Sequence, residues 1–350
     1  MRYIQTVNGK ITPDELGITL PHEHLIIDYT KMLVDYDEDE IKDLKYEKIN
    51  CKNRNLISKY FNANLDNMKL DNINIAVNEI NFFKKHKGNT IVEVTTIGIG
   101  RNVIKLQKIS QKSGINIISG TGFYTQPSNP YPPWFFKSDK KKLTNYFINE
   151  IINGIDDTNI CAGFIGEIGC SYPLHPDEYK VLVSSIYASK ELNTCLMIHP
   201  GRSEKSINQI IKVLKEHNAN YEKIILCHIE RTVFSFNNLK SILNLGINIE
   251  FDLFGWDLSY VHLRREPPVH VPDDYEKVKT IKKIIDLGFE KQILISHDIH
   301  NKHRLVKYGG HGYHHILRDV IPVLMKINNF SKDSIKNIII NNPKRIFTIN

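Results

Sequence analysis

The sequence predicts an α/β protein folded as a closed (β/α)8 (TIM) barrel with a short N-terminal hairpin, a single domain over residues 1–350. Three observations point there. Short apolar runs recur at residues 90–95, 115–120, 161–168, 195–199, 224–229, 247–253 and 292–296, and the run at 18–27 brings them to eight. Segments of helical period separate them, at residues 73–87, 102–112, 143–152, 177–192, 206–217, 239–245 and 275–287. Strands alternating with helices imply a parallel sheet, and over ~250 residues or more such a sheet closes into a barrel. An open doubly wound sheet is the alternative, but no glycine-rich phosphate turn follows the first strand. No linker-like stretch marks a second domain.

Residues 3–12 read as the hairpin, with an Asn8-Gly9 turn ahead of Pro13. Residues 28–72 carry an acidic patch from Asp35 to Glu40 and no long apolar period, so an extended loop with short helices is expected. Ile73, Val77, Ile80 and Phe83 then form a helical stripe that ends at Gly88.

Hydrophobic residues make up 41% of the chain and charged residues 24%, ordinary for a globular protein. The formal charge of +7 is spread along amphipathic segments. With no basic block interleaved with aromatics, no nucleic-acid partner is expected, and a small anionic substrate is favoured. The five cysteines show no paired spacing, and Cys161, Cys195 and Cys227 sit in or beside apolar runs. Reduced thiols, no apolar signal core and no membrane-length run lead to the expectation of a soluble cytoplasmic protein without a membrane partner.

The chemistry lies at the strand ends, where such barrels keep their active sites. His22 and His24 are two apart in the first run, and on a strand that spacing aims both imidazoles the same way. Glu167 stands in the fourth run between Gly166 and Gly169. The fifth run ends on His199, the sixth on His228 and the eighth on His297 and Asp298. Any one of these is readily explained as a satisfied polar residue at a core edge or a helix cap. Together they place several imidazoles and carboxylates at matching ends of five strands, where uncompensated charge is costly to bury. Metal ions remove that cost. A nitrogen and oxygen ligand set without thiolate suits zinc, and also accepts manganese, cobalt or iron. Six ligands exceed the needs of one tetrahedral ion, so two ions bridged by Glu167 and a hydroxide are expected. His22, His24 and Asp298 would hold one ion, and His199 and His228 the other. The bridging hydroxide would be the nucleophile, with Asp298 as proton acceptor.

The chain resembles the phosphotriesterase family of the amidohydrolase superfamily, and within it the phosphotriesterase-related branch. The matching segments run in order along essentially the whole chain. They include Gly17-Ile-Thr-Leu-Pro-His-Glu-His-Leu25, Glu93-Val-Thr-Thr-Ile-Gly-Ile-Gly-Arg101 and Gly163-Phe-Ile-Gly-Glu-Ile-Gly-Cys170. Ile198-His-Pro-Gly-Arg202, Leu226-Cys-His-Ile-Glu-Arg-Thr232, Ile249-Glu-Phe-Asp-Leu-Phe-Gly255 and Ser296-His-Asp-Ile-His300 follow. The resemblance implies a binuclear, usually zinc, centre on the residues named above, and it points to a homodimer. Organophosphate-degrading and quorum-lactone branches bridge their metals with a carboxylated lysine, where this chain has Glu167. The glutamate branches imply hydrolysis of N-acetyltaurine and similar N-acyl amino acids, or of phosphorylated sugar lactones. A phosphotriesterase and a non-catalytic metal-bound sensor are the remaining alternatives.

Substrate contacts are expected from the loops after the strands. Arg202 and Arg231 follow ligand strands directly, and Arg264-Arg265 and Lys302-His303-Arg304 offer further cations for a substrate anion. Tyr124, Tyr131 and Trp256 are candidate pocket walls. His300 and His311 are expected behind the ligands rather than among them.

Overall fold

The computed structural model describes residues 2–126, 131–256, 258, 260–261 and 268–350. Eight strands form one parallel sheet: β1 (Thr19–Glu23), β2 (Thr90–Glu93), β3 (Asn116–Thr121), β4 (Phe164–Cys170), β5 (Leu196–Pro200), β6 (Ile224–Leu226), β7 (Asn248–Phe251) and β8 (Ile293–Ile295). Each strand pairs with its neighbour in the sequence, so the order is simply 1 to 8. Helices α1 (Ile73–Lys85), α2 (Val103–Ser113), α3 (Lys140–Ile152), α4 (Pro176–Leu192), α5 (Glu204–Glu216), α6 (Phe236–Asn244) and α7 (Asp274–Asp286) connect them. Asn72, Asn102, Asp139, Ser203, Ser235 and Asp273 cap six of these with side-chain oxygens that accept from the first-turn amides.

The alternation along the strands sorts two apolar layers. Val92, Ile118, Phe164, Met197, Ile225 and Leu294 fill the barrel interior. Ile91, Ile117, Ile165, Ile198, Leu226 and Ile249 point outward under the helices, as expected of strands buried on both faces. Ile4, Leu16, Ile346 and Phe347 plug the interior at the N-terminal end, which leaves the opposite mouth for polar groups.

Among the described residues no strand ladder joins β1 to β8. The Ser296 hydroxyl closes the seam by accepting from the His22 amide (3.1 Å) and donating to the His22 carbonyl (2.8 Å). The buried Glu23 carboxylate adds bonds from the His297 amide (2.9 Å), the His297 Nδ1 (2.7 Å) and the Ile299 amide (2.9 Å). Burial opposes its charge, but His297 and these donors hold Glu23 below the usual carboxylate range.

One local feature differs from the sequence expectation and another bears it out. The hairpin pairs Ile4–Thr6 with Gly9–Ile11, so Val7 and Asn8 make the turn instead of Asn8 and Gly9. Val7 is buried and its amide donates to the Ile117 carbonyl (2.9 Å), so docking on the barrel overrides the turn preference. Residues 28–72 do hold short helices, Asp39–Lys42, Asp43–Tyr46 and Arg54–Lys59, closed by the two-residue pairing of Ile27–Asp28 with Lys69–Leu70.

Candidate metal centre

Two strands carry an extra residue where the site needs one. Between β1 and β2 the register passes from Leu20 opposite Ile91 to Glu23 opposite Glu93. Between β4 and β5 it passes from Ile165 opposite Leu196 to Ile168 opposite Ile198. Each bulge re-aims a side chain without breaking the sheet. His22 and Glu167 occupy these irregular stretches. At Gly166 (φ +141°) a β-carbon would collide with the backbone of Met197, so only glycine lets β4 come this close.

The six residues nominated from the sequence converge at one mouth. His199 Nδ1 lies 2.8 Å and His228 Nε2 3.1 Å from Glu167 Oε2. His22 Nε2 is 3.4 Å from the same oxygen and 3.8 Å from Asp298 Oδ1. His24 Nε2 stands 3.3 Å from that Asp298 oxygen. All six are buried. Overlapping triplets within this set bring their ligand atoms within 4.8 Å of one another.

Whether these residues suit a metal is decided by their other atoms. His22 Nδ1–H donates to Glu250 (2.9 Å), and His228 Nδ1–H to Asp252 (2.6 Å). His24 Nδ1–H donates to the Thr95 hydroxyl (2.7 Å), which donates on to Glu93 (2.7 Å). Each outer bond fixes a tautomer whose Nε2 lone pair faces inward. His22 Nε2 is buried there with no hydrogen-bond partner. Lone pairs crowded around two carboxylates are what a divalent cation needs, so the set fits.

Without a metal the cluster shares its charge internally: against burial, Asp252 and Glu250 push His22 up and Asp298 pushes His24 up. Burial works against charge on Glu167, yet His199, His228 and His22 hold its carboxyl well below the usual range. Asp298 is likewise desolvated and likewise kept ionised, by His300, His24 and His22. Burial drives His199 down to about 3, so this imidazole stays neutral. Behind the cluster, burial and the neighbouring Asp298 raise Asp252 to about 7, and burial raises Glu250. Glu250, Asp252, Glu93 and Thr95 are functional residues that sequence reasoning missed. Their signal was present: each pair is spaced two apart in an apolar strand, as His22 and His24 are. Asp252→Asn is expected to weaken metal affinity roughly 10- to 100-fold by loosening His228, measured by chelator competition.

The remaining nominations divide. Arg231 is buried beside the centre, its Nη2 3.3 Å from His199 Nε2. The Tyr124 hydroxyl is 3.4 Å from the same nitrogen, and Tyr131 donates to the Tyr124 carbonyl (2.8 Å). Arg202 is half-buried and sits close enough to Arg231 and Tyr124 to bear on the ionisation of both. Trp256 lies farther out, its ring 6.5 Å from that of His300. Arg264 and Arg265 lie outside the described residues.

The 302–304 cations are a correction. Lys302 pairs with Asp66 (2.9 Å) and His303 is buried. Arg304 is buried too, donating to the carbonyls of His297 (2.7 Å), Asp298 (2.7 Å) and Phe254 (3.0 Å). It holds the catalytic loop in shape instead of facing a substrate. His311 stands behind it, its Nε2 accepting from Arg304 Nε (3.3 Å), and His300 Nδ1 donates to the Asp298 carbonyl (2.8 Å). Arg304→Met takes a donor from three buried carbonyls, of which that of Asp298 keeps its bond from His300. A loss of about 3–5 kcal/mol is expected, read from the urea midpoint.

Imidazoles and carboxylates gathered at the mouth of a (β/α)8 barrel define a metal-dependent hydrolase. The chain belongs to the phosphotriesterase family, whose profile matches residues 2–347. It is similar to an N-acetyltaurine hydrolase of Dictyostelium discoideum, 40% identical over 366 residues, with 99% of this chain and 98% of that protein covered. The human N-acetyltaurine hydrolase is 36% identical, with 99% and 97% covered. Among solved structures, a resiniferatoxin-binding protein from Rhodobacter sphaeroides superposes with a TM-score of 0.93 at 28% identity, covering 99% of this chain and 94% of that one. No helix among the described residues is long and apolar enough to cross a membrane.

Proposed function

We propose that this chain hydrolyses the amide bond of N-acetyltaurine or a closely similar N-acyl amino acid. Two divalent cations, zinc foremost, would be held by His22, His24, Glu167, His199, His228 and Asp298. One observation carries the reading: four inward-facing imidazole nitrogens surround two ionised carboxylates while three of the rings are fixed from behind. The names of the relatives at 36% and 40% identity support the choice of bond.

When bound, the cations supply the positive charge that acidifies a water and polarises the scissile carbonyl. The protein does the rest. Glu167, placed between His199, His228 and His22, balances charge at the middle of the cluster. Asp298 stands at its edge with an ionised carboxylate, His24 and His300 fixing its orientation. It accepts the proton of the attacking water and returns it to the departing nitrogen, so the carbon–oxygen bond forms as the carbon–nitrogen bond breaks. The products are a carboxylate and a free amine.

The test is turnover of metal-loaded protein on N-acetyltaurine and a panel of N-acetyl amino acids, following acetate release, with elemental analysis of the same sample. Stoichiometric metal and steady acetate release are expected. A metal-replete, folded protein that releases no acetate from any of them sinks the amide reading.

A further inference from the structure

Arg231 is placed where a cation needs a reason. It ends the short 3-10 turn Ile229–Arg231 that follows His228, and it is 4% exposed. Among the described residues its one side-chain hydrogen bond is to His199 Nε2, and its Nη1 is buried with no hydrogen-bond partner. It forms no ion pair among the described residues. Asp252 and Asp298 lie near enough to favour its charge, but His228 and His24 already engage them. Burial and the positive charge of Arg202 both press on the guanidinium. The unpartnered Nη1 of Arg231, buried beside a second cation, favours an anion at this place.

His199 turns Nδ1 toward Glu167, so a cation held by that nitrogen would leave the ring proton on Nε2. Nε2 would then donate, to the Tyr124 hydroxyl 3.4 Å away, and would no longer accept from Arg231. The guanidinium would face a donor, a contact that an incoming acceptor relieves.

We propose that Arg231, with Arg202 and the Tyr124 hydroxyl beside it, seats the anionic end of the substrate, a sulfonate or carboxylate on the amine side of the scissile amide. The inference rests on the amide reading above and adds where the anion goes. A planar guanidinium offers two parallel donors to such a group. The His199 ring stands between this seat and Glu167, so the anion is kept apart from the reacting carbonyl.

The experiment compares kcat/KM of metal-loaded protein on N-acetyltaurine and on N-ethylacetamide, the same amide without the sulfonate. Wild type is expected to favour the anion by roughly 100-fold or more, because the neutral compound leaves a buried donor unpaired. Equal rates overturn the subsite. In Arg231→Met the preference is expected to fall at least tenfold, mostly through KM, with partial recovery in Arg231→Lys. A preference unchanged in a folded, metal-replete Arg231→Met protein overturns the assignment to Arg231. If wild type cleaves neither amide, the amide reading fails, and ethanesulfonate binding by calorimetry judges the subsite alone. Binding weakened at least tenfold by Arg231→Met upholds it, and no binding to wild type overturns it.

Discussion

Glu167→Gln is expected to cost the proposed two-ion centre one of its ions and to lower kcat/KM at least ~10³-fold. Glu167 Oε2 lies within 3.4 Å of nitrogens from three of the histidines. An amide keeps the shape but removes the charge that would offset the two proposed cations in a site where all the neighbours are buried. The amide also brings a donor into a space already crowded with lone pairs. The barrel itself should persist, because the strands around Glu167 are held by ladder hydrogen bonds and by apolar layers on both faces. Elemental analysis beside near-UV circular dichroism checks this. A folded variant that retains both ions and near wild-type turnover would remove Glu167 from the bridging role.

Asp298→Asn separates binding from chemistry. Asparagine can still offer an oxygen to an ion, but it cannot take a proton. The expected result is a drop in kcat of roughly 10²- to 10⁴-fold with a much smaller change in KM and partial retention of metal. The direction follows from the wild-type ionisation, since His300, His24 and His22 keep this carboxylate charged despite burial. Steady-state kinetics at matched metal content decides it, and a kcat within a few-fold of wild type would assign proton transfer elsewhere.

The barrel and the convergence of the six candidate ligands were legible because both rest on periodicity. Eight apolar runs at regular spacing dictate strands, and residues at the ends of such runs must share a mouth once the sheet closes. His22 with His24, and His199, His228 and Asp298 at run ends, needed nothing more. The bulges in β1 and β4 were hidden, because one extra residue in an apolar run leaves its composition unchanged. Glu250 and Asp252 carried the same two-residue spacing as the histidines, at the end of β7 and behind the candidate ligands they steady. The role of Arg304 depends on which way a loop side chain turns, and Arg304 turns inward to three carbonyls. Local sequence holds no record of that direction. At Val7 the hairpin turn shifted for a similar reason, tertiary burial outweighing a dipeptide preference.

The seam sealed by Ser296 lies between the first barrel strand and the last, with His22 and His24 on one side and Asp298 on the other. The candidate ligands are therefore made in the order 22, 24, 167, 199, 228 and 298. A nascent polypeptide halted before the eighth strand has an open sheet edge and lacks Asp298. On the ligand set proposed above, full metal affinity would be reached only once that strand has joined the sheet.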